Sequence, residues 1–192
     1  MTASGKCLPE LVIFKGKKEG RIARNELPFL AEQYGLPGAH YTVQAKFWMD
    51  EEVMYLWIRE VLQPYLAGAP PDVHPVLFLD SYRCHTMAPI VKSIQGLGCQ
   101  VEHIPPGCTP LCQPIDIGVC KPLKDRMKSS CDDFIFGQYE AGRTKFNSPS
   151  RGELATWIYQ ALHDISSNTI RNSWSYGEYG YYYLPIKRSA LK

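Results

Sequence analysis

Two acids and one histidine in this chain are of the right types to do chemistry together. The apolar run Val76-Leu77-Phe78-Leu79 ends abruptly in Asp80, and His85 follows shortly after in DSYRCH. A second acid, Asp116, lies beyond a stretch bearing Pro and Gly, in PPGCTPLCQPIDIG. Carboxylates brought into one pocket can bind Mg²⁺ or Mn²⁺, because hard cations take oxygen ligands and keep waters for a phosphate. Two such ions can activate an attacking hydroxyl and steady a leaving oxygen in phosphoryl transfer. On position alone each acid has an ordinary alternative: Asp80 can cap a turn, and Asp116 can cap a helix beginning near Ile117. His85 suits proton transfer by its near-neutral titration, or it can simply bond local backbone at a helix start.

The elements around these residues must deliver them. Four consecutive large apolar residues without alternation predict a strand covered on both faces, so Asp80 sits at the C-terminal end of a buried strand, where α/β folds place their sites. Met87 to Leu97 reads as a helix with Ile90, Val91, Ile94 and Leu97 inward and Gly98 closing it. Cys99 to Ile104 then reads as a strand, which makes a parallel βαβ unit. Upstream, Leu8 to Phe14 and Tyr41 to Phe47 are strand candidates, and Glu26 to Tyr34 is a short helix closed by Gly35. Asp50 should N-cap a helix with Val53, Leu56, Trp57, Val61 and Leu62 on one face, its last turn perturbed by Pro64. Downstream, Val119, Leu123 and Met127 share a helical face, and Pro122 predicts a kink or restart there. Ser150-Arg151-Gly152-Glu153 is a capping box opening a helix with Leu154, Trp157, Ile158, Leu162 and Ile165 inward. Thr169 to Trp174 starts a further helical piece.

Composition sets the class. Hydrophobic content of 45% over 192 residues supports a folded core, and a formal charge of +2 leaves any nucleic-acid face to a local patch. No run approaches the ~20 apolar residues of a membrane span, so no membrane partner is expected. The seven cysteines are odd in number and follow no zinc spacing, which reads as reduced thiols. The basic run Lys15, Lys17, Lys18, Arg21 and Arg24 reads as solvated surface. No P-loop, GxGxxG or nucleophile elbow is present, which removes ATPase, dehydrogenase and hydrolase-elbow readings.

The ordered blocks LPELVIFKGKK, VQAKFWMDEEVMYLWI, LFLDSYRCH, HIPPGCTPLCQPIDIGVCKPLKD and TIRNSW resemble the catalytic domain of DDE transposases, in the pogo/Tigger/jerky branch of the mariner superfamily. The resemblance runs from about Ser4 to Trp174. It implies an RNase H-like mixed sheet flanked by helices, an α/β fold. It further implies Mg²⁺- or Mn²⁺-dependent DNA strand cleavage and transfer in the nucleus. Asp80 matches the family's second acid and Asp116 its third, as catalytic residues and metal ligands, with His85 at the same site. The first acid of the family precedes the LPELVIFKGKK block and has no counterpart here. The fold is therefore expected to be truncated at the N-terminus, with the preceding strand a stub at Thr2 to Gly5. A core over residues 1–140 and a helical extension with a Tyr-rich tail over 141–192 complete the expected layout. Gln113, Arg83, Lys121 and Lys124 are DNA-contact candidates, although the two lysines, mixed with Asp125, fit an ordinary solvated helix face equally well. With two acids of three, the chain is expected to be inactive alone, unless a homodimer or partner chain completes the site. The alternative is a transposon-derived remnant that binds nucleic acid or protein without cutting.

Overall fold

The computed structural model describes residues 1–70 and 72–175. The tyrosine-rich tail, Tyr176 to Lys192, lies outside the described residues. The chain divides into two compact units, Leu8–Gln113 and a second made of Met1–Cys7 with the residues from Pro114 onward.

In the first unit, β1 (Leu11–Lys15) pairs in parallel with β2 (His40–Gln44), joined through helix α1 (Leu27–Tyr34). Gly35 ends α1 in the left-handed conformation that glycine tolerates best. Asp50 caps α2 (Glu51–Trp57) as expected, its side chain accepting from the Val53 amide at 3.0 Å. α2 runs on through a wider turn, Ile58–Leu62, into α3 (Gln63–Ala67). The βαβ expectation also holds: β3 (Val76–Leu79), α4 (Ala88–Gly96) and β4 (Gln100–His103) follow in order, with β3 and β4 parallel and Leu79 opposite His103. The strands lie in two separate parallel pairs. The core gathers Met54, Ile58, Leu62, Leu79, Ile90, Ile94 and Cys99. Met54 and Ile58, four residues apart at regular helical spacing, are buried beside the expected face, which widens it by one stripe.

All three π turns among the described residues stand just before a proline. Ile22–Glu26 precedes Pro28, Ile58–Leu62 precedes Pro64, and Ile115–Val119 precedes Pro122. In a regular α-helix each proline ring would press on the carbonyl four residues back, at Arg24, Glu60 or Gly118, and could donate nothing to it. Adding one residue to the turn moves that carbonyl aside. The bonds then run five residues, from the amides of Leu27, Gln63 and Cys120 to the carbonyls of Ile22, Ile58 and Ile115. The register change expected at Pro122 therefore falls just upstream of it.

The second unit is helical. A short helix, α5 (Thr109–Cys112), closes the first unit, and α6 (Cys120–Glu140), α7 (Arg151–His163) and α8 (Ser167–Ser175) build the second. Phe134 of α6 meets Trp157 of α7 edge to face at 5.6 Å. The residues that α7 buries fully are small, Gly152, Ala155 and Ala161, whereas Leu154, Trp157, Ile158 and Leu162 are only half-buried. Val119, Ile165 and Ile170 form a core with Leu123 and Trp174 against it. The expected strand stub at Thr2 to Gly5 is instead a turn. The Thr2 amide donates to Lys6 O at 2.9 Å and the Gly5 amide to Thr2 O at 3.0 Å, while Arg171 of α8 donates to Ser4 O at 3.1 Å. These bonds turn the segment back on itself and onto a helix, away from any ladder.

The capping box at Ser150 is complete, with the Glu153 amide donating to Ser150 Oγ at 3.1 Å and the Ser150 amide to Glu153 Oε2 at 2.7 Å. Ser150→Ala is expected to lower stability by about 1 kcal/mol. The urea midpoint should fall with an unchanged slope; an unmoved midpoint would refute the cap's contribution.

Candidate active site

The end of β3 is held firmly before it delivers Asp80. The Ile104 amide donates to Leu79 O at 2.8 Å, extending the β3–β4 ladder, and Ser81 Oγ donates to Ile104 O at 2.7 Å. The chain then turns: the Tyr82 amide donates to Asp80 Oδ1 at 3.0 Å, and the His85 amide donates to Tyr82 O at 2.9 Å. That turn swings His85 back, so that its Nδ1 donates to the same Asp80 Oδ1 at 2.6 Å. His103 of β4 fixes the loop from the other side, its Nε2 donating to His85 O at 3.0 Å. The side chains of Asp80 and His85 are 30% and 19% exposed, low enough to be held and high enough to be reached. Oδ1 thus carries two hydrogen bonds while Oδ2 carries none among the described residues. Asp80 caps its turn and still keeps one oxygen without a hydrogen bond among the described residues.

Asp116 occupies the other unit. It lies inside the π turn Ile115–Val119, exposed, and no side chain caps that turn, which sets aside the helix-cap alternative. Its Oδ1 accepts from Cys120 Sγ at 3.4 Å. Burial, followed by the hydrogen bond and negative charge of Asp116, raises the Cys120 thiol above its ordinary 9.0, with Lys124 opposing. Cys84, Cys99 and Cys112 are raised as well, chiefly by burial. A raised folded-state value means that the thiol form supports folding below the unfolded thiol's range, and that this support is lost as pH rises through the folded value. Alkylation of Cys120 should accelerate only on the alkaline side of a free thiol, and Asp116→Asn should move that profile back toward acid. Identical profiles would refute the pairing.

Residues 1–174 match the family described as DDE superfamily endonuclease. The chain belongs to that family. The pogo-like resemblance is borne out by two relatives, each named "Pogo transposable element with KRAB domain". The one from Mus musculus is 27% identical and the one from Homo sapiens 26% identical, each over 172 residues. Those matches cover 88% of this chain and 26% of each relative, so the chain spans about a quarter of the length of the curated relatives it matches. No solved structure matches.

Within this DDE domain the remaining motif residues differ in how free they are. Lys121 is tied to Asp125 at 2.5 Å, one helical turn on, so its charge is already shared. Arg83 and Lys124 are exposed and make no ion pair among the described residues. Gln113 has its Oε1 buried with no hydrogen-bond partner among the described residues. The basic run is surface as expected, with Lys18 paired to Glu52 and Arg24 to Glu19. Among the described residues no three His, Cys, Asp or Glu side chains gather to hold a metal ion. Asp80 Oδ2 with one imidazole is too small a donor set for a dication, and no step is drawn through one.

One aromatic pair was not anticipated. The Trp48 ring stacks on Tyr82 with centroids 6.1 Å apart and planes at 19°, and Tyr82 in turn meets His85 edge-on at 5.6 Å. The available signal was the Lys46-Phe47-Trp48 triplet, a cation and two aromatics just before a helix cap.

Proposed function

We propose that this domain carries the second and third acids of a DDE phosphoryl-transfer site, Asp80 and Asp116, on an RNase H-like scaffold, and that it works on DNA in the nucleus. The carrying observation is the Asp80 turn: a strand-end carboxylate with one oxygen pinned by Tyr82 and His85 and the other unbonded among the described residues. Pinning one oxygen fixes where the second points, which is what positioning for phosphoryl transfer requires. His85 orients the carboxylate through Nδ1, which leaves Nε2 for a water or a phosphate oxygen. Mg²⁺ or Mn²⁺ belongs to this reading only where further carboxylate oxygens join those of Asp80 and Asp116. The 192-residue chain is accordingly expected to bind DNA without cutting it.

Incubation with supercoiled plasmid and Mg²⁺ or Mn²⁺ tests this directly. No nicking is the expected result. Nicking lost in both Asp80→Ala and Asp116→Ala would overturn the inactivity and leave the site assignment standing. Nicking that persists in both variants would overturn the assignment.

A further inference from the structure

Trp48 is 56% exposed and Phe47 57%, so consecutive large rings stand in water beside the Asp80 turn. The backbone works against its own preference to put them there. Phe47 has φ of 52°, the left-handed region that a bulky side chain seldom adopts and that is often retained at functional sites. Gln44, the last residue of β2, enforces it. Its Oε1 accepts from the amides of Lys46 at 2.5 Å and Trp48 at 3.3 Å, while its carbonyl accepts from Phe47 at 3.0 Å. One face of Trp48 lies on Tyr82, whose own amide holds Asp80. Lys46 stands two residues before Trp48 and Arg83 directly after Tyr82, both exposed and free of ion pairs among the described residues.

We propose that the Trp48–Tyr82 pair is a stacking platform for one unpaired base of a DNA strand bound at the Asp80 site, with Lys46 and Arg83 meeting the phosphates on either side. The inference rests on the DNA reading above and adds the strand state and the residues that sense it. Every base has a π-face, so a stacked aromatic pair takes an unstacked base without regard to its identity. Duplex DNA keeps its bases stacked on each other and offers no such face. Exposed rings interleaved with free cations are the usual composition of single-strand grooves, whereas a purely apolar protein surface would leave Lys46 and Arg83 without a partner.

The test uses the whole chain in chelator-containing buffer with a fluorescent single-stranded oligonucleotide and the matching duplex. Trp48→Ala should weaken single-strand binding by roughly 5- to 150-fold, the range for losing one aromatic–base stack, with duplex binding unchanged. Trp48→Phe should retain most of the affinity, and a 2-aminopurine in the strand should be quenched by the wild type and not by Trp48→Ala. Lys46→Ala and Arg83→Ala should each reduce the salt dependence by about one counterion. Wild-type affinity in Trp48→Ala, with DNA binding intact, overturns the platform alone. A wild-type chain that binds neither DNA form overturns the DNA reading and the platform with it. Because Trp48 is exposed, far-UV circular dichroism should confirm that each variant folds.

Discussion

Ile94→Ala is expected to destabilise the Leu8–Gln113 unit by about 2–5 kcal/mol, read as an early urea transition in the fluorescence of Trp48 and Trp57. Ile94 is fully buried at 0% exposure, as is Ile90 one turn before it, and both lie in the core with Met54, Ile58, Leu62, Leu79 and Cys99. Truncation removes the burial of three carbons and leaves a cavity between elements that have little freedom to close it. α4 is tethered at both ends by the strands of the βαβ unit, and Met54, Ile58 and Leu62 share its core. The loss reaches the site, because Leu79 is both a member of this core and the residue before Asp80. Ile94→Val should cost about 0.5–1.5 kcal/mol. A fall smaller than that for Ile94→Ala would mean that α4 does not anchor the strand that presents Asp80.

Gly118→Ala should cost about 1–3 kcal/mol in the second unit, despite the roughly 1 kcal/mol that alanine ordinarily gains over glycine in a helix. A methyl group there would stand 2.6 Å from Ser173 Cβ and 3.2 Å from Ser173 Cα. Ser173 cannot step aside: it is buried, its Oγ donates to Ile170 O at 2.7 Å, and Ile170 belongs to the small core with Val119 and Ile165. The helix must move, and α8 packs directly on the turn that carries Asp116. Ser173→Gly combined with Gly118→Ala should recover part of the loss, giving a favourable coupling in a double-mutant cycle. Strict additivity of the two changes would show that the contact is not what limits the pair.

Much of this architecture could be read in advance because its signals are local. The Asp50 cap, the Ser150 box, the Gly35 stop and the β3–α4–β4 order each rest on a few adjacent residues whose chemistry leaves little choice. The Asp80–His85 bond is harder to read, since its turn is also held by Ser81 bonding Ile104, just past β4, and by His103 at the end of β4. Ile165 is buried as its spacing predicts, but α7 itself buries Gly152, Ala155 and Ala161, small residues to which hydrophobic periodicity gives no weight. The Trp48–Tyr82 stack joins residues from different elements, and no spacing rule connects them. Thr2 to Gly5 departs from the expected strand because the family resemblance implies strand order and is silent on Arg171 capturing the Ser4 carbonyl.

The five-residue turn that holds Asp116 has a consequence for how this sequence tolerates change. Such a turn contains one residue more than an ordinary helical turn, so deleting a single position within Ile115–Val119 would restore regular spacing and bring the Pro122 ring back against the carbonyl four residues before it. The same deletion would rotate the acid about the helix axis by roughly 100°, the angle between successive residues at 3.6 per turn. Shortening this segment would therefore cost the carboxylate its direction and the following helix its accommodation of Pro122 together, so the extra residue and the proline stand or fall as a pair.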